Sequence, residues 1–198
     1  RKITSLKDMV KQSTELFPDC SAFTLKDKDG NFYHITFRQF QDQINALGTA
    51  FIDLGLKNAM VAVLSENRYE WCLTYLSVVN GVGVIVPLDK ELPENEIASL
   101  LSRSGAKAVI TSADYLDSLM KIKNNLPSLK YVISMDNKED ENGVLSIQKL
   151  IDRGQQLIGK GNRDYIDAEI DPEIMNMLIF TSGTTDTSKG VMLSHKNI

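Results

Sequence analysis

Apolar residues recur along this chain at two different periods, and the switches between them mark its elements. Leu6, Met9, Val10, Leu16 and Phe17 repeat at helical spacing and stop at Pro18, which predicts a short amphipathic helix. Ala22 to Leu25 and Phe32 to Ile35 flank Asp27-Lys28-Asp29-Gly30-Asn31, a run of turn formers, so the two stretches read as a β-hairpin. Thr36 with Gln39 three residues later is a capping box, and Phe37, Phe40, Ile44, Leu47 and Phe51 then line one face of a helix ending near Gly55.

From Met60 the pattern alternates between short apolar runs and helical stretches. Met60 to Leu64 is unbroken, as expected of a strand covered on both faces, and a helix follows through Trp71, Leu73, Tyr75, Leu76 and Val79. Val84 to Val86 predicts the next strand. Pro93 fits a first helical position, Ile97, Leu100 and Leu101 mark that helix, and Gly105 ends it. Ala108 to Ile110 is a strand, a helix runs to about Asn125 before Pro127, and Tyr131 to Ile133 is a strand again. The charged run Asp136 to Asn142 reads as a solvated loop, Leu145 to Leu157 as a helix, Gly159 to Asp164 as a linker, and Met177 to Phe180 as a last buried strand. Strands separated by helices predict an α/β fold, with a mainly parallel sheet flanked by helices.

Composition narrows the class. The chain has 198 residues, 42% of them hydrophobic, enough for a core without disulfides or a structural metal. A net charge of −4 disfavours a nucleic-acid binder working through a basic face. Cys20 and Cys72 form no C-x-x-C pair, so a reducing, cytoplasmic setting is expected; His34 and His195 are too few and too far apart for a histidine metal site. No signal peptide or membrane-length apolar run is present, so membrane contact is expected to be peripheral at most. The absence of Met at the start, and an end at His195-Lys196-Asn197-Ile198 in what reads as the start of a helix, predict that the 198 residues are a fragment.

The chemistry concentrates in Thr181-Ser182-Gly183-Thr184-Thr185-Asp186-Thr187-Ser188-Lys189-Gly190, which is small, hydroxylic, Gly or Lys apart from Asp186. Glycine lets backbone N–H groups approach an anion, hydroxyls add donors, and one ammonium supplies charge, a set that suits phosphate. The segment is not a Walker loop. Counting from Gly183 puts Ser188 where that motif needs Gly, and Val191-Met192-Leu193 continue as a strand where it needs a helix.

This segment resembles the phosphate-binding signature of the adenylate-forming acyl-activating superfamily (acyl-CoA synthetases, luciferases and peptide-synthetase adenylation domains), read as T-S-G-T-T-G-x-P-K-G. Thr181 to Thr185, Lys189 and Gly190 match it position by position. The resemblance extends over about residues 22 to 198, through Ile35-Thr36-Phe37, Val61 to Leu64 and Ser104-Gly105-Ala106-Lys107. Asn67-Arg68-Tyr69-Glu70-Trp71 and Val86 to Pro93 look most like the AMP-forming long-chain acyl-CoA synthetases.

The resemblance implies that residues 1–198 are the first part of the large N-terminal domain of such an enzyme. It implies ATP and coenzyme A as co-substrates with Mg²⁺ as cofactor, a long-chain fatty acid as substrate, and Thr181, Ser182, Gly183, Thr184, Thr185 and Lys189 as the holders of the β- and γ-phosphates. It assigns no catalytic residue to this stretch and leaves the metal ligands unassigned. Because the family's adenine, ribose and acyl contacts and its late catalytic Lys follow this loop, the chain alone is expected to be inactive. Asp186 replaces the signature Gly and Ser188 its Pro. Asp tolerates a left-handed backbone, but a carboxylate about 4 Å from a phosphate is repelled by ~1 kcal/mol in water and ~4 kcal/mol at an effective dielectric of 20. Asp186 therefore supports a competing reading, a nucleotide-binding or interaction protein on the same fold with a degenerate loop. Trp71 and Tyr75 read as packing residues, His195 as a cap or packing residue, and Cys72 as a small buried hydrophobe.

Overall fold

The computed structural model describes residues 2–181 and 188–198. In chain order the elements are α1 (Leu6–Leu16), β1 (Ser21–Lys26), β2 (Phe32–Thr36), α2 (Phe37–Asp53), β3 (Met60–Leu64), α3 (Tyr69–Val79), β4 (Val84–Pro87) and α4 (Glu94–Ser104). They continue as β5 (Ala108–Thr111), α5 (Ala113–Ile122), β6 (Tyr131–Ser134), β7 (Val144–Ser146), α6 (Ile147–Gly159), β8 (Met175–Thr181) and β9 (Lys189–Ser194). β1 and β2 form a separate antiparallel hairpin; the others make a sheet in the order β7-β6-β5-β3-β4-β8-β9, parallel except for β9.

The unbroken apolar runs become the central strands because both faces of the sheet are covered. Val61 and Val63 turn toward a core shared with α2, α3 and α6, while Ala62 and Leu64 join a second core with α4 and α5. Thr36 caps α2 through the expected reciprocal bonds with Gln39, and Gly105, at φ 64°, ends α4 in the left-handed region that glycine enters without strain. α2 and α6 pack so closely that a Cβ at Gly154 would collide with the carbonyl of Ala46. Tyr165, fully buried, lies against Gly48 of α2, where a Cβ would enter its ring. Its hydroxyl donates to the Leu76 carbonyl at 3.4 Å, and Lys7 Nζ lies 5.4 Å from its ring centre.

Two local expectations are corrected. Pro93 stands one place earlier than expected, as the N-cap of α4 with ψ 156°. The predicted helix from Leu145 begins instead at Ile147, because Val144 to Ser146 pair with β6 and the Ser146 side chain caps α6. The run from Asp136 to Asn142 is an exposed loop, as expected, and two of its carboxylates also hold neighbouring backbone: Asp136 Oδ2 accepts from the Ala113 N–H at 2.8 Å, and Asp140 Oδ1 from the Ser146 N–H at 2.8 Å.

Candidate functional site

The hairpin of β8 and β9 carries the phosphate-like segment. β8 runs parallel beside β4, with Met177 opposite Ile85, so Thr181 closes the carboxyl end of a parallel-paired strand. β9 returns antiparallel in a register that sets Thr181 opposite Lys189 and Phe180 opposite Gly190. Thr181 and Lys189 are both exposed, and they face each other across the last pair of the ladder. Ser182, Gly183, Thr184 and Thr185, with Asp186, lie outside the described residues. Gly190 has a packing reason of its own, since a Cβ there would come 3.0 Å from Leu178 Cδ1.

Sequence reasoning missed a second cation at this hairpin. Arg103, in the last turn of α4, donates from Nη2 to the Ser188 carbonyl at 2.7 Å, and its guanidinium carbon lies 5.3 Å from the Phe180 ring centre. No periodicity or motif in the sequence pairs residue 103 with residues 180 and 188.

Open parallel sheets commonly take ligands where the strand order reverses, in the crevice at the carboxyl ends. Here that reversal falls between β3, whose crossover leads to β4, and β5, whose crossover leads away to β6. The crevice is closed by side chains. Ser112 Oγ, just after β5, donates to Glu66 Oε2, just after β3, at 2.6 Å. Arg68 bonds Glu66 at 3.2 Å, Glu70 at 2.7 Å and Asp136 at 2.9 Å. Burial works against the Arg68 charge, but the bonds to Glu70 and Asp136 outweigh it and hold the guanidinium protonated. Burial likewise opposes the Glu66 carboxylate, and the bonds from Ser112 and Arg68 keep its pKa below the ordinary value. Arg68 Nε, Arg68 Nη1 and Ser112 Oγ all donate to carboxylates of the same cluster, so it braces the sheet edge.

The amino edge holds a cavity of about 490 Å³ lined by Met60, Gly81, Val84, Ile174, Asn176 and His195, among others. The Asn176 amide is buried there, and neither its nitrogen nor its oxygen has a partner among the described residues. His195 is fully engaged. Its Nδ1 accepts from the Leu6 N–H at 3.1 Å, which leaves Nε2 as the protonated nitrogen facing the Val79 carbonyl at 3.0 Å. Burial lowers its pKa, with the Val79 bond acting the other way. The expected packing role for His195 stands, and the ring joins the end of β9 to α1 and α3.

Trp71 and Tyr75 stack at 5.4 Å against the larger core, as packing residues do. Cys72 is half-buried, and burial raises its thiol pKa. Among the described residues no group of three or more His, Cys, Asp or Glu is arranged to hold a metal ion, and no helix is long and apolar enough to cross a membrane.

Comparison with known proteins brings these observations together. The family model described as "AMP-binding enzyme" matches residues 10–198. The 4-hydroxybutyrate–CoA ligase 2 of Metallosphaera sedula is 27% identical over 187 residues, covering 91% of this chain and 34% of that protein. The long-chain-fatty-acid–CoA ligase ACSBG1 of Rattus norvegicus is 27% identical over 201 residues, covering 98% of this chain and 27% of its own length. This chain thus spans about a third or less of those relatives. The solved structure of the anthranilate CoA ligase AuaEII in complex with anthranoyl-AMP superposes with a TM-score of 0.81 over 97% of this chain and 35% of that one, at 23% identity. That likeness shows the shared α/β fold.

Proposed function

Because this chain belongs to the AMP-binding enzyme family, we propose that it forms the phosphate-holding part of an ATP-dependent acyl-CoA ligase acting on a long-chain fatty acid. In the first step a carboxylate oxygen attacks the α-phosphorus of ATP and the bond to the bridging oxygen of the β-phosphate breaks, giving acyl-adenylate and pyrophosphate. In the second the thiol sulfur of coenzyme A attacks the acyl carbon, the bond from that carbon to the phosphate oxygen breaks, and AMP leaves while the thiol proton passes to solvent. The part assigned to this chain is positioning and charge neutralisation, the main protein contribution to phosphoryl chemistry. Thr181 and Lys189, with Ser182, Gly183, Thr184 and Thr185 between them, hold the β- and γ-phosphates, so that the α-phosphorus is presented and the charge of the departing pyrophosphate is offset. Mg²⁺ accompanies ATP as counterion to the polyphosphate. Among the described residues no cluster of three or more His, Cys, Asp or Glu is arranged to hold it.

The observation that carries this reading is the exposed Thr181–Lys189 pair, which closes the ladder on both sides of a Gly- and hydroxyl-rich segment. Long-chain specificity rests on the likeness of Asn67 to Trp71 and Val86 to Pro93 and on relatives such as the rat ligase. Cytoplasmic placement rests on the two unpaired cysteines, Cys20 and Cys72.

The test is ATP–pyrophosphate exchange by the protein as its gene encodes it, with any sequence that flanks residues 1–198, against fatty acids of graded length and 4-hydroxybutyrate. Exchange that depends on a long-chain acid is the expected result. Exchange only with 4-hydroxybutyrate would move the substrate class. ATP binding without exchange for any acid would favour the reading that Asp186 supports, a nucleotide-binding protein with a degenerate loop. Because the matched relatives run well beyond the matched stretch, residues 1–198 by themselves are expected to give no exchange.

A further inference from the structure

A phosphate-holding hairpin must keep its two strands at a fixed offset where the loop leaves and returns, since both Thr181 and Lys189 are placed by their own strand. One side chain from outside the hairpin touches both strands at that point. Arg103 lies against Phe180, immediately before Thr181, and bonds the carbonyl of Ser188, immediately before Lys189. We propose that Arg103 is a positioning residue for the phosphate loop, an inference that rests on the adenylation reading above.

The peptide between Ser188 and Lys189 is planar. A donor that holds the Ser188 carbonyl therefore also sets the direction of the Lys189 N–H and the point from which the Lys189 side chain projects. Ser188 needs such a restraint because it leaves φ free, whereas the Pro of the resembling signature fixes φ at that position. Arg103 restrains the next dihedral, ψ of Ser188, through the carbonyl, and the face of Phe180 holds the guanidinium in place. A cation in the last turn of a helix is favoured by the helix dipole alone, so charge by itself would give Arg103 a purely structural role. The planar fork, which can bond a carbonyl while stacking on a ring, is what distinguishes the positioning role, and Lys lacks it.

The test uses Arg103→Ala, Arg103→Lys and Arg103→Ala/Ser188→Pro in the natural protein, with Lys189→Ala alongside. The measurements are KM for ATP, kcat and melting temperature. Arg103→Ala is expected to raise KM for ATP roughly five- to tenfold, the combined worth of an exposed charged bond and an exposed cation–π contact, with kcat and melting temperature nearly unchanged. Arg103→Lys should resemble Arg103→Ala, and Ser188→Pro should restore most of the lost affinity in the double variant. Full activity in Arg103→Lys would overturn the proposal by showing that helix-end charge suffices. So would a parallel loss of kcat and melting temperature, or a double variant as weak as Arg103→Ala. If Lys189→Ala abolishes exchange while Arg103→Ala leaves KM unchanged, the proposal fails and the phosphate reading stands. If Lys189→Ala also keeps full exchange, the phosphate reading itself falls, and the proposal with it.

Discussion

The switch-point crevice between β3 and β5 and the hairpin of β8 and β9 both begin where a parallel strand ends, yet they are built in opposite ways. In the crevice Ser112 is buried, Glu66, Arg68 and Glu70 are half-buried and Asp136 is exposed, and the five bond one another. In the hairpin Thr181 and Lys189 are exposed and carry donors that the ladder does not consume. A carboxyl edge is thus no site by virtue of topology alone. What separates a brace from a binding place is whether its polar groups are already spent.

That contrast makes separable predictions. The largest concerns Lys189: its replacement by Ala should lower the rate of pyrophosphate exchange roughly tenfold to more than a hundredfold, as expected for the loss of a charge-assisted contact felt in the transition state. Its exposed position should leave thermal unfolding unchanged, and a large loss of stability would erase the distinction between crevice and hairpin. Arg68→Ala should do the reverse, costing about 1–2 kcal/mol of stability in urea denaturation because three carboxylates lose their common partner. KM for ATP should barely move. Should Arg68→Ala raise that KM and leave stability intact, the crevice belongs to the site.

A smaller effect tests how the hairpin is tied to the core. The lowered pKa of His195 means that the folded protein prefers the neutral ring, so its stabilising contribution is present above the ordinary imidazole value of 6.5 and is lost as pH falls below it. Protonation would turn Nδ1 from an acceptor into a donor facing the Leu6 N–H. His195→Gln should flatten this part of the pH dependence of the melting temperature; an unaltered profile would assign the slope to other groups. The smallest change is expected from Asp186→Gly, which should leave exchange similar or raise it. Abolished exchange would give Asp186 a positive role.

The same contrast explains what could be read in advance. Met60 to Leu64, Ala108 to Ile110 and Tyr131 to Ile133 announced themselves as strands because burial on both faces demands unbroken apolar runs. β7 did not, because Val144 to Ser146 run into the helical spacing of Ile147, Leu150, Ile151 and Ile158 with no Gly or Pro between strand and helix. The missed signal was Asn142-Gly143, with φ of 51° and 77°, a two-residue turn bridged by Glu141 and Val144 just before the strand. In the hairpin, motif composition marked Thr181 and Lys189, whereas Arg103 reaches their neighbours Phe180 and Ser188 only through tertiary packing of α4, which local spacing does not encode. Tyr165 was invisible for a similar reason: a single aromatic in the polar stretch after Gly159 has no period to belong to.

That tyrosine governs how the chain travels from α6 to β8. The stretch from 160 to 174 contains no helix or strand, and left loose it would deliver Met175 to the sheet from one long, slack tether. Seated against Gly48, Tyr165 acts as a mooring partway along and divides that tether into two shorter ones of unequal consequence. Residues inserted before the mooring only lengthen a span between two fixed points on the same helical layer, a modest entropic cost. Residues inserted after it lengthen the leash on which β8 enters the sheet, and with it the freedom of the hairpin to slip against β4.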